Sequence, residues 1–282
     1  MDRLLRDAGG KIELLSYDET GALADVNGTE VPQVTVTDSA GVAVPGFTPS
    51  RPSAGTYQAT LPGDLDTLDL YDVLWTWSNG QSRRSRFELV GGFFFSIADV
   101  RDFDPVLTDA AKYPASKIRA VRGVIEERFE AYCRVAFVPR GRRAVISGGG
   151  TSTLLLPDME VHRLVQVKVD GTALTQAELA EVKVHPFGML EWDGGTFAEG
   201  IRNVEVLYEH GFRSVPAPIQ RAALRYAKAL LVSATYDDRA TAVFTDVGGF
   251  RLTLAGRDGP TGLPEVDATL AEFRRAPVEA TG

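Results

Sequence analysis

The chain has 282 residues, 44% hydrophobic and 24% charged, with 30 basic and 38 acidic side chains and a net charge of −8. A globular chain of this size can bury its core without staples; a single cysteine, Cys133, excludes an internal disulfide, and three scattered histidines give no zinc spacing. No apolar run reaches the roughly 18 residues of a membrane helix, and the acidic balance speaks against tight nucleic-acid binding, which needs phosphate-neutralising charge.

The charged start Met1–Asp7 lacks the apolar stretch of a signal peptide, and the lone thiol points to folding in a reducing compartment. The acidity is uneven. Residues 1–92 hold 7 basic and 13 acidic side chains, net −6, and residues 93–282 hold 23 and 25, net −2.

Short strands are predicted over Lys11–Tyr17, Gln33–Thr37, Gly55–Leu61, Leu70–Ser78 and Arg83–Leu89. Turns are marked by Asn27-Gly28, Ala40-Gly41, Pro62-Gly63 and Asn79-Gly80. In the fourth strand Val73, Trp75 and Trp77 share one face, which makes the tryptophans core residues rather than a stacking platform. No helical period of useful length precedes residue 93. The pattern predicts a small antiparallel sandwich. Its stretch Ala54-Gly55-Thr56-Tyr57, followed by Leu70 to Trp77, resembles immunoglobulin-like or transthyretin-like modules. Gly91-Gly92 then marks a boundary, and Phe93-Phe94-Phe95 a docking contact.

Ser96 and Asp99 form a capping signal for a short helix limited by Pro105. Ile118, Val121, Ile125, Phe129 and Tyr132 recur at helical spacing from Pro114 to about Val135. Arg119, Arg122, Glu126, Glu127 and Glu130 are assigned to a solvated face. Cys133 continues the apolar side as a buried thiol.

Strands follow over 154–157, 165–169, 181–184, 189–192 and 204–208, with Asp193-Gly194-Gly195 as a flexible tip. A second long helix runs from Pro216 or Pro218 to about Tyr236, with Ile219, Ala222, Ala223, Tyr226 and Leu230 on its apolar face. Beyond it lie a β-like segment, Gly249–Ala255, a Gly/Pro-rich loop and a short amphipathic stretch, Val266–Arg275.

Catalytic motifs are not evident. Gly148-Gly149-Gly150 lacks the lysine of a phosphate loop, and His162, His185 and His210 stand outside acid–base motifs. Asp64, Asp66, Asp69 and Asp72 lack EF-hand spacing. Arg140, Arg142 and Arg143 form a basic cluster, a candidate contact for phosphate or an acidic partner, read by default as an exposed turn. Neither an enzyme nor a cofactor is expected.

From Ser96 to Arg275 the order of elements resembles the head-tail connector (adaptor) proteins of long-tailed bacteriophages. The residues that carry the likeness are the helix Tyr113 to Cys133, Leu154-Leu155-Leu156-Pro157 and Val165 to Gly171. They continue through Trp192-Asp193-Gly194-Gly195, Asn203 to Phe212 and Pro216 to Leu231.

The resemblance implies a multidomain fold: an immunoglobulin-like sandwich over residues 1–92, then an α+β, mainly helical adaptor domain with inserted strands over 93–282. It implies a virion protein at the head-tail junction, one of twelve subunits in a ring. The ring would bind the portal and the tail-side connector (stopper) and pass double-stranded DNA without specific binding. Gly256, Arg257, Leu263, Val266, Leu270, Phe273 and Arg274 are the implied portal contact. The Trp192–Gly195 loop is the implied tail-side or channel contact. The competing reading is a bacterial or phage surface-binding protein whose sandwich holds a carbohydrate or a protein.

Overall fold

The computed structural model describes residues 2–232, 242–245, 248–251 and 259–276. In chain order the first strands are β1 (Asp2–Leu5), β2 (Lys11–Leu15), β3 (Gln33–Thr37), β4 (Ala43–Val44), β5 (Thr48–Ser53), β6 (Thr56–Thr60), β7 (Leu70–Thr76) and β8 (Ser82–Val90). Two helices follow, α1 (Ile97–Phe103) and α2 (Ala115–Cys133). A β-rich segment then holds β9 (Arg140–Gly148), β10 (Thr153–Leu155), β11 (Val161–Val169), β12 (Thr172–Ala173), helix α3 (Gln176–Glu181), β13 (Val182–Val184), β14 (Met189–Trp192) and β15 (Gly200–His210). The described chain ends with α4 (Ala217–Leu231), the hairpin β16 (Ala242–Thr245) and β17 (Gly248–Arg251), and α5 (Pro264–Phe273).

Two compact units result. One joins Met1–Gly92 to Pro139–Gly211, and the other joins Phe93–Val138 to Phe212–Gly282.

In the first unit a nine-stranded sheet runs β12-β11-β15-β9-β8-β7-β3-β4, with β1 added in parallel to β8. The expectation that residues 93–282 form a mainly helical domain is corrected by this sheet. Among the described residues strand exceeds helix, 36% against 26%, and β9, β11 and β15 extend the sheet begun by the N-terminal strands. The physical reason is long-range pairing. Val90 of β8 meets Arg140 of β9, and β9 pairs with β15 from Arg140 to Gly148, so strands read as local insertions find their partners far away in sequence.

The apolar interior stays segregated. Ile12, Tyr57 and Ala59 from the sheet β2-β6-β5 meet Val36, Val73, Trp75 and Phe87 of the nine-stranded sheet in one core, but that second sheet does not end with the N-terminal segment and runs on into β9, β15 and β11. Trp75 and Trp77 are buried there, Trp77 edge-on to Tyr57 at 5.1 Å. A separate core joins Leu154, Val167, Leu190, Trp192, Phe197 and Val206 beneath the sheet β10-β14-β13.

The second unit is a helical cluster. Ser96 Oγ accepts the Asp99 N–H at 3.0 Å while Asp99 accepts the Ser96 N–H at 2.7 Å, the reciprocal cap expected from their spacing. Ile118, Ile125 and Phe129 of α2 pack with Ala222, Ala223 and Tyr226 of α4 and with Val266 and Leu270 of α5. Phe129 and Tyr226 stack at 6.1 Å.

Arg122 and Glu126, assigned to the solvated face of α2, are buried instead. Glu126 Oε1 accepts the Phe94 N–H at 2.9 Å, Arg122 donates to the Phe95 carbonyl at 3.2 Å, and its guanidinium lies over the Phe93 ring. The phenylalanine segment brings backbone groups into the interior, and these two side chains satisfy them. Cys133 is buried as expected, and burial pushes its thiol up to about 11.

Candidate functional site

The predicted basic cluster does not form a turn: Arg140, Arg142 and Arg143 all lie on β9. Each meets carboxylates of the same unit. Arg140 pairs with Glu88, to which Arg3 also reaches at 3.3 Å. Arg142 grips Asp158 at 3.0 and 3.1 Å, and Arg143 lies between Glu205 and Asp38. Arg140 and Arg143 are nearly buried; Arg142 is half exposed.

The Trp192–Gly195 tip is packed against its own tryptophan. Trp192 is buried, Asp193 pairs with Lys183, and a Cβ on Gly195 would stand 2.7 Å from the Trp192 ring. Asp193 and Gly194 are exposed at the end of the turn.

Of the implied portal contacts, Gly256 and Arg257 lie outside the described residues. Val266 and Leu270 are buried in the helical core, and Leu263 and Phe273 pack against it. Arg274 is exposed, with its guanidinium 4.9 Å from the Tyr132 ring. This segment therefore turns its apolar side inward and its charged side out.

Two histidines face carboxylates. His185 Nε2 lies 2.7 Å from Glu191 Oε2. His210 Nδ1 lies 3.6 Å from Asp158 Oδ1, and Tyr208 donates its hydroxyl to the same carboxylate. Burial lowers His210 to about 4, outweighing the pull of Asp158, and burial raises the Tyr208 phenol. Neither histidine lines the cavities described next.

A cavity of about 280 Å³ is lined by Asp38, Asp64, Asp66, Asp69 and Arg143, with Leu65 and Tyr71 among its walls. Asp69 is buried and accepts from Ser39 N and Oγ and from Leu70 N, so its charge is already satisfied. Asp64 and Asp66 are exposed, and no ion pair engages them among the described residues. A second cavity, of about 260 Å³, is lined mainly by Leu5, Leu61, Leu65, Leu89 and glycine backbone. Among the described residues no group of three or more histidine, cysteine or acidic side chains could hold a metal ion. No described helix is long and apolar enough to cross a membrane.

The missed feature is Arg83-Arg84-Ser85-Arg86 on β8. All three arginines are exposed, and only Arg86 has an ion-pair partner among the described residues, Asp72 at 2.7 Å. The signal was in plain view, three arginines within four residues of an acidic segment.

No family model matches the chain, and no curated protein matches it. Among solved structures it is similar to SGBP-B of the Bacteroides ovatus mixed-linkage glucan utilization locus, in complex with a mixed-linkage heptasaccharide. The identity is 12%, the TM-score 0.20, and the match covers 73% of this chain and 50% of that one. The match thus spans half the length of that neighbour, and a likeness of this order fixes neither fold nor ligand.

Proposed function

We propose that the chain works by holding partners, and that its specific form is one subunit of an adaptor ring between a phage portal and the tail-side connector. The observation that supports this reading best is the build of the helical unit. Helices α1 and α2 precede the β-rich segment, α4 and α5 follow it, and the four share one core. Strands, then Gly211-Phe212, then proline and an alanine-rich helix is the order on which the resemblance rests. In this reading Val266 and Leu270 anchor α5, and Glu272 and Arg274 on its exposed side reach the portal. Double-stranded DNA passes through the ring without specific binding, and no chemistry is performed.

The test is negative-stain electron microscopy of the purified chain mixed with the portal. A ring added to one pole of the portal is the expected image. Portal particles unchanged beside free chain would count against the reading.

A second reading, a surface-binding protein for a carbohydrate or protein, is favoured by Phe187. This aromatic is 71% exposed and held at a φ of 65°, an uncommon conformation for a bulky side chain. With Trp75 and Trp77 buried, the exposed aromatics Phe187 and Tyr17 are the side chains on which a sugar ring would stack. Glycan binding that Phe187→Ala removes would support this reading; no binding across a broad set of glycans would oppose it.

A further inference from the structure

The exposed arginines of β8 and the acidic cavity belong to opposite ends of one hairpin. Arg83, Arg84 and Arg86 lie toward the Asn79-Gly80 turn. At the far end the Leu89 N–H donates to the carbonyl of Asp69, a cavity residue, at 3.0 Å. Six residues of extended strand separate Arg83 from Leu89, about 20 Å at the usual rise. That is more than twice the Debye length at physiological salt, so Arg83 and the adjacent Arg84 do not neutralise the cavity within one chain.

Each patch is incomplete in a way that the other answers. On β8, β7 occupies one edge of Ser82–Arg86, while β1 and β9 reach only Phe87–Val90 on the other. Among the described residues the second edge of Ser82–Arg86 therefore has no strand beside it. In the cavity, Asp38 accepts from the Ala40 and Val42 N–H groups and lies 3.7 Å from Arg143, while Asp64 and Asp66 are exposed, Asp66 accepting from Thr67 Oγ1 at 3.3 Å. Carboxylates above apolar walls suit an arginine side chain, whose methylene stem covers Leu65 and Tyr71 while its planar fork meets the acids.

We propose that the acidic cavity of one copy receives Arg84, with Arg86 beside it on the same face of the strand and Arg83 on the other, from the β8 edge of a second copy. The occupant is a second copy because this one chain carries both complementary charges, on a surface whose net charge of −8 otherwise repels its like. A contact between unlike patches is head-to-tail, and it repeats until it closes into a ring where the rotation permits. Its closed form rests on the ring reading above.

Sedimentation velocity tests the contact on the wild type, on Arg83→Glu/Arg84→Glu, on Asp64→Lys/Asp66→Lys, and on an equimolar mixture of the two variants. All four changes are on exposed side chains. At about 50 mM salt the wild type associates with rising concentration, and at about 500 mM the association weakens at least tenfold. Either variant alone is monomeric. Their mixture associates again, because each altered patch meets its opposite on the other variant.

Variants that associate as the wild type does would overturn this contact and leave the ring reading standing. A wild type monomeric at both salts would overturn the contact, and the portal mixture would then decide the ring separately. Loss on arginine reversal alone, with the wild type retained on duplex DNA, would overturn it too and assign the edge to phosphate.

Discussion

Tyr208 donates its hydroxyl to Asp158 Oδ2 at 2.7 Å, and the carboxylate so held also faces His210 Nδ1 at 3.6 Å and Arg142 at 3.0 Å. Despite that carboxylate, burial keeps His210 neutral, with its pKa lowered to about 4. The unfolded chain, with an ordinary histidine near 6.5, binds more protons than the native chain between those values. This contribution is complete above pH 6.5 and is lost as pH falls toward 4, by up to about 3 kcal/mol. Urea unfolding from pH 7 to 4 should therefore show a steeper loss for the wild type than for His210→Gln. Parallel curves would place the proton elsewhere.

Phe129 stacks on Tyr226 within the helical core. Truncation by Phe129→Ala removes a fully buried ring and leaves a cavity, at a cost of about 3–5 kcal/mol. Chemical denaturation followed by helical circular dichroism is the check. A loss below about 1 kcal/mol would mean that the site collapses freely around the missing ring.

Two glycines of β9 and the turn beyond it should respond oppositely. A Cβ on Gly141 would overlap the Leu68 carbonyl oxygen, whereas one on Gly149 would meet nothing nearer than Thr151 Oγ1 at 3.9 Å. Gly141→Ala is expected to cost about 1–3 kcal/mol or more. Gly149→Ala should be close to neutral, within about 0.5 kcal/mol. Thermal unfolding of the two variants side by side measures the difference.

Removing residues 1–92 takes away one apolar core whole and leaves the other two with all their members. The shortened chain is expected to keep native-like helical circular dichroism and a cooperative transition. It should melt lower than the full chain, because Arg140 loses Glu88 and β9 loses β8. A non-cooperative melt would show that the cores depend on each other.

Much of the local structure was legible because its causes are local. Gln33–Thr37 and the Asn79-Gly80 hairpin follow from alternation and turn chemistry, and the cap at Ser96 from one spacing. What the sequence concealed depends on distant partners. Arg140-Gly141-Arg142-Arg143 looks like a solvated turn until Glu88, Asp158 and Glu205 are placed opposite it. Arg122 and Glu126 look exposed until the Phe93–Phe95 backbone needs them. The same cause hid the nine-stranded sheet, whose β8–β9 pairing joins residues 50 positions apart at Val90 and Arg140. The candidate surface was half visible. The arginine run of β8 can be read directly, but its open edge and the acidic cavity at the other end of the hairpin exist only after folding.

In the proposed reading this chain is a ring subunit that holds a portal and a tail. Cryo-electron microscopy of the portal vertex in particles that contain the chain tests it most directly. The expected result is a ring of density between portal and tail into which the nine-stranded unit and the helical unit can each be fitted. A vertex whose density is filled by other proteins, with this chain elsewhere in the particle or absent from it, would contradict the account.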